Sequence, residues 1–124
     1  MNNFVDLIAR ILISAVFLIS GINKINQYEG TVQWMESFGV PGILIIPAII
    51  LEVIGSILII VGYQTRITAT IFSIFCISLA FIFHNDFSNQ MELVSFFKNL
   101  ALAGGFLFLA INGPGKISLD KKLK

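Results

Sequence analysis

Six polar side chains stand inside or at the edges of long apolar runs in this chain: Arg10, Lys24, Glu52, His84, Lys98 and Asn99. A charge held within a bilayer costs about 2.5–3.5 kcal/mol on insertion scales, so such a residue has either a partner or a task. Arg10, His84 and Lys98 can donate hydrogen bonds, and Glu52 can pass protons. That set suits a quinone ring, which needs donors at its carbonyls and a proton source on reduction. It equally suits a structural ion pair that locks helix packing, or a site for a small polar or lipidic solute. Other chemistries fall away. His84 is the only histidine and Cys76 the only cysteine, so no haem held by two histidines, iron–sulfur cluster or disulfide can form within one chain. No phosphate-binding glycine loop and no serine–histidine–carboxylate spacing occurs, so no catalytic residue and no metal ligand is assigned.

The elements that carry these residues are four apolar runs, at about 4–22, 41–62, 67–84 and 93–112. Each reaches the roughly 18 residues that a membrane-crossing helix requires. A chain of 124 residues that is 56% hydrophobic and 12% charged has too much surface to hide its apolar area in water. Its mean hydropathy of +0.91 agrees. The reading is an all-α protein, an integral membrane four-helix bundle forming one domain over 1–124. A net charge of +1 excludes a nucleic-acid partner, which would need a dense basic face. Asp6 and Arg10 interrupt the first run and no basic residue precedes it, so it reads as a retained span and not a signal peptide. Cys76, among Ile74, Phe75 and Ile77, reads as a small buried apolar residue.

Segment 23–40 is the one sizeable connection. Val32, Met35 and Phe38 at three-residue steps, with Trp34 beside them, fit a short interfacial helix with the indole at headgroup level. Thr65 is placed to cap the third span. With four spans both termini share a side. That side carries Arg66, Lys116, Lys121, Lys122 and Lys124, against Lys24 and Lys98 opposite, so both termini read as cytoplasmic in a multi-pass cell membrane protein. The basic tail would rest on anionic headgroups, at about 1 kcal/mol per cation.

Helical spacing groups the polar residues into stripes. Asp6, Arg10, Ser14, Phe17, Gly21 and Lys24 share one face, as do Ala48, Glu52, Gly55 and Ile59. Ser73, Ile77, Ala80 and His84 align on the third span, and Lys98, Ala101, Gly105 and Leu109 on the fourth. Small residues in each stripe allow close helix approach, so the stripes should face one another across the bundle seam. At 1.5 Å per residue Glu52 lies roughly 15 Å deep and Arg10 roughly 9 Å, a gap that an arginine can span. A Glu52–Arg10 pair is therefore expected at the centre. Lys98, which enters its span by about 7 Å, could compete for Glu52. Lys24 and Lys98 can also snorkel to the outer interface, and Asn99 is expected to hydrogen-bond across helices.

Phe17-Leu18-Ile19-Ser20-Gly21-Ile22-Asn23-Lys24 resembles the first-span signature of DoxX-family membrane proteins. Glu52-Val53-Ile54-Gly55 with Gly62 and Arg66, His84, Phe97 to Gly105 and Gly113-Pro114-Gly115-Lys116-Ile117-Ser118-Leu119-Asp120 are similar to the later parts of that family, in order. The resemblance implies a four-helix inner-membrane protein of bacterial type. It also implies a place as a membrane subunit of an oxidoreductase system feeding the quinone pool, although other family members have no assigned activity. Arg10, Lys24, Glu52, His84, Lys98 and Asn99 transfer only as the family's polar positions. The partners this leaves open are the bilayer, a soluble or membrane oxidoreductase and a second copy of the chain. The first reading is a small membrane subunit or scaffold, and the alternatives are a quinone-linked subunit of an oxidoreductase system and a carrier of a small solute or lipid.

Overall fold

The computed structural model of the protein describes residues 3–123. Helix α1 spans Asn3–Asn26 and a short helix α2 spans Tyr28–Ser37. Helix α3, Gly42–Val61, begins with a 3-10 turn at Gly42–Leu44 and widens into a π turn over Leu51–Gly55. Helix α4 is Thr65–Phe83, α5 is Gln90–Asn112, and a single turn, α6, covers Leu119–Lys122. No strand occurs among the described residues. Helices α1, α3, α4 and α5 are long and apolar enough to cross a membrane, and they run alternately up and down. Side chains such as Leu12, Ile43, Ile67, Ile74, Phe108 and Ile111 point outward, as they must against acyl chains. The protein is a multi-pass membrane bundle.

The core is aromatic. Phe17 of α1, Phe72 of α4 and Phe106 of α5 meet with ring centroids 4.8–5.8 Å apart, over Ile59, Ala69, Cys76 and Ala103. Offset and tilted rings at these distances add attraction beyond the area they bury. Ser73 donates to the Ala103 carbonyl at 3.1 Å, tying α4 to α5. The α1 and α3 stripes face inward as the spacing implies. The stripes on α4 and α5 do so only in part: Ser73 and Ala80 are buried, but Ile77, Lys98 and Ala101 are exposed. The buried faces there run through Phe72, Cys76 and Ala80, and through Phe96, Ala103 and Phe106. Both helices are apolar nearly all round, so periodicity fixes their phase only loosely.

Helix α2 is the short helix expected between the first two spans. It folds across the loop end of the bundle, where Trp34 stacks on Phe83 at 4.4 Å and Met35 is buried with Ile45 and Phe83.

At the opposite end, which carries both termini, α3 stops at Gly62. Its amide bonds the Leu58 carbonyl, and φ of +77° is a conformation that suits glycine. The tail folds back over this turn instead of lying away from the bundle. Asp120 donates its amide to the Gly62 carbonyl at 2.8 Å. Its carboxylate accepts from the Gln64 and Thr65 amides at 2.7 and 2.8 Å, so Asp120, and not the Thr65 hydroxyl, caps α4.

Partial burial opposes the charged form of Asp120, but the Thr65 and Gln64 amides, with Arg10 at longer range, outweigh it and hold the carboxyl below its usual range. A carboxyl with a lower pKa folded than unfolded stabilises the fold above the unfolded value, about 4, and that contribution is lost as pH falls through the folded one. Asp120→Asn should therefore melt below the wild type at neutral pH, and the gap should close as pH drops below about 4. Melting temperature against pH for both proteins tests this. A gap that stays constant into acid would show that the Asp120 charge is not what caps α4.

Candidate functional site

Gly21 brings α1 against the π turn of α3. A Cβ at Gly21 would lie 2.7 Å from Val53 Cγ2 and 3.0 Å from Glu52 Cβ, so only hydrogen fits. This approach sets Ser20 and Lys24, one helical turn apart, beside Glu52. The Lys24 ammonium donates to Glu52 Oε1 at 3.0 Å and to Ser20 Oγ at 2.9 Å, and it lies 2.9 Å from Oε2. Ser20 Oγ adds a longer bond to Oε1 at 3.4 Å. Glu52 is 1% exposed, and its Oε2 has no aligned hydrogen-bond donor. Lys24 retains 21% exposure. A buried carboxylate in this setting depends on its cation, because desolvating either charge alone is costly. Wide π turns of this kind recur at functional sites.

The pair forms one wall of a cavity of about 520 Å³. His84, Lys98 and Asn99 line the same cavity, as does Thr31 of α2. Phe17, Trp34, Phe75 and Phe83 supply the aromatic lining. His84 Nδ1 is 3.2 Å from Glu92 Oε2, which fixes the ring by one nitrogen and leaves the other without a protein partner among the described residues. Lys98 makes no hydrogen bond or ion pair among the described residues, so its ammonium can serve a ligand. Asn99 donates to the Ser95 carbonyl of its own helix at 3.0 Å, not across helices as anticipated, which leaves its carbonyl oxygen as an acceptor. A second hollow of about 440 Å³ shares Ser20, Lys24, Thr31 and Trp34 with the first and adds Asn23 and Gln27.

Lys24, Glu52, His84, Lys98 and Asn99 thus surround one space, and Arg10 does not belong to it. The anticipated Arg10–Glu52 pair does not form. Arg10, 2% exposed, donates to the carbonyls of Ile59 at 3.1 Å, Ile60 at 2.8 Å and Ile117. The last carbonyls of a helix lack intrahelical partners and form the negative end of its dipole, so a guanidinium within reach settles there. Lys24 takes Glu52 because α1 continues to Asn26, past the anticipated end of the first span. Ser20 went unrecognised as a site residue, although its position four residues before Lys24 was a readable signal. Glu92 beside His84 had no such signal.

No site for a metal ion is formed by His, Cys, Asp or Glu clusters among the described residues.

The sequence pattern of the DoxX family matches residues 5–85. The chain is 44% identical over 117 residues to the inner membrane protein YqjF of Escherichia coli (strain K12), covering 94% of this chain and 90% of that protein. It is 41% identical over 123 residues to the inner membrane protein YphA of the same organism, covering 94% and 88%. No solved structure matches. The pattern covers the bundle from the first span to the third, with the candidate Lys24–Glu52 site inside it, and the chain belongs to the DoxX family.

Proposed function

We propose that this protein is an inner-membrane subunit, with both termini in the cytoplasm, whose cavity receives a quinone head and exchanges protons with it. The observation that carries this reading is that the Lys24–Glu52 pair lines one cavity of about 520 Å³ together with His84, Lys98 and Asn99. That volume lies in the range of small-molecule sites, and the lining has the usual character of one: mostly apolar and aromatic, with a few converging polar groups. Lys98 and His84 are placed to donate to ring carbonyls, the aromatic side chains to pack on ring faces, and Glu52 to hand on protons. The electrons would come from an oxidoreductase partner. Arg66, Lys116, Lys121 and Lys122 at the terminal end support the orientation. The hollow beside Lys24, where Asn23, Gln27 and Thr31 add polar side chains, favours a second reading, a carrier of a small polar solute.

Trp34 is the only tryptophan and lines the cavity, so it reports directly on occupancy. Titrating a short-tailed menaquinone or ubiquinone analogue into detergent-purified protein should quench its fluorescence saturably. Lys98→Ala should weaken the binding by about tenfold, the value of one charge-assisted hydrogen bond. Quenching that never saturates, and is identical in Lys98→Ala and Glu52→Gln, would remove the quinone. A polar solute that protects Trp34 instead would put the carrier in its place.

A further inference from the structure

Three buried polar atoms run along the seam between α1 and α3 with no hydrogen-bond partner in the protein, Arg10 Nε, Ser14 Oγ and Ser56 Oγ, and they lead to Glu52 Oε2, which has the Lys24 ammonium at 2.9 Å but no aligned donor. Their order along the seam follows from contacts at its two ends. Near the terminal end Arg10 bonds the Ile59 and Ile60 carbonyls, and deeper in, Gly21 touches Glu52 and Val53. Ser14 lies one turn from Arg10 on α1 and Ser56 one turn from Glu52 on α3. The helices are antiparallel, so both serines fall between those levels, and both are fully buried. Serine in a helix commonly returns its hydroxyl to its own backbone, and neither of these does.

Buried hydroxyls without a protein partner are satisfied in folded proteins by internal water, each molecule making about three hydrogen bonds. We infer that the α1–α3 seam is a proton path, in which Ser14, Ser56 and internal water connect the terminal end of the bundle to Glu52. From Glu52 the path continues through the cavity to Ser20, Asn23, Gln27 and Thr31 at the loop end. A hydroxyl both donates and accepts, so each oxygen gives one proton onward and takes one from behind. Only O–H bonds are exchanged, Glu52 passes between carboxylate and carboxyl, and no electrons move. Arg10 does not bar the way as a bare cation. Carbonyls ligate its guanidinium, and the Asp6 and Asp120 carboxylates act on it from the terminal side. Cys76 is the titratable group that α4 brings near Glu52. Intramembrane carboxylates in such files serve proton relays in pumps and transporters.

This inference rests on the reading of Lys24–Glu52 as a proton-exchanging centre, but its test needs no quinone. The protein is reconstituted into vesicles containing a pH-sensitive dye, and a potassium diffusion potential drives protons inward. The wild type should acidify the lumen several-fold faster than protein-free vesicles. The double variant Ser14→Ala, Ser56→Ala should fall to the protein-free rate, yet keep the wild-type melting temperature and the wild-type Trp34 response to the quinone analogue. Glu52→Gln should also stop the flux. Wild-type flux equal to that of empty vesicles overturns the path. So does a double variant that conducts normally and melts higher, because deleting a dry, unsatisfied hydroxyl stabilises a core. Flux without any quinone binding would remove the quinone and leave the path standing.

Discussion

Arg10→Met should lower the melting temperature by about 10 °C or more, the largest loss from any single polar substitution in the bundle. The methionine fills most of the volume but returns no donor to the carbonyls of Ile59, Ile60 and Ile117. Each buried acceptor left without a partner costs about 1–3 kcal/mol. The Ile59 carbonyl keeps the Gly62 amide at 3.2 Å, and water can reach the Ile60 and Ile117 carbonyls in part, so the sum is about 2–5 kcal/mol, a large share of a typical stability. Arg10→Lys should recover only part of it, since one ammonium cannot reproduce the planar fork that reaches three carbonyls on two segments. Trp34 fluorescence during heating in detergent gives the measurement. A methionine variant that melts with the wild type would mean that the guanidinium does not hold the terminal end together.

The second large effect belongs to the ion pair. Lys24→Met strands a carboxylate that is 1% exposed, with Ser20 at 3.4 Å as its remaining donor. Removing one partner of a buried pair costs about 3–5 kcal/mol, and the partial exposure of Lys24 reduces this to roughly 2–4 kcal/mol. Glu52→Gln removes the buried charge and leaves Lys24 access to the surface, so it should destabilise less. The informative protein is the double variant Lys24→Met, Glu52→Gln, which should be more stable than Lys24→Met alone. A double-mutant cycle should give a coupling of at least about 1 kcal/mol. Single effects that simply add would show that the two charges do not depend on each other.

Much of the bundle can be read from the residues. Long apolar runs with few charges can do little but cross a membrane, and the α1 and α3 seams are marked by Ser14, Gly21 and Gly55, small residues at helical steps. The polar positions near the loop end surround one cavity because each helix carries its ionisable group at a similar depth. What was not legible is partner choice. Arithmetic on rise per residue permits Arg10 to reach Glu52, but it does not register the carbonyls that the end of α3 offers nearer by. The phase of α4 and α5 was only partly legible because Ile77 and Ala101 look as apolar as the residues that pack, and the aromatic seam of Phe72 and Phe106 becomes clear only with Phe17 in place. The cap from Asp120 joins residues 55 and 56 positions apart, beyond the reach of any local rule.

The clamp at the terminal end also has a consequence for biosynthesis. Arg10 leaves the ribosome well before its acceptors, which lie 49, 50 and 107 residues further along. Until those residues are made, the nascent span must keep its guanidinium at the headgroups or in the insertion machinery, where it can remain hydrated. Docking of the tail thus closes the assembly order, and a partner fused or bound to the last dozen residues would act on the first helix.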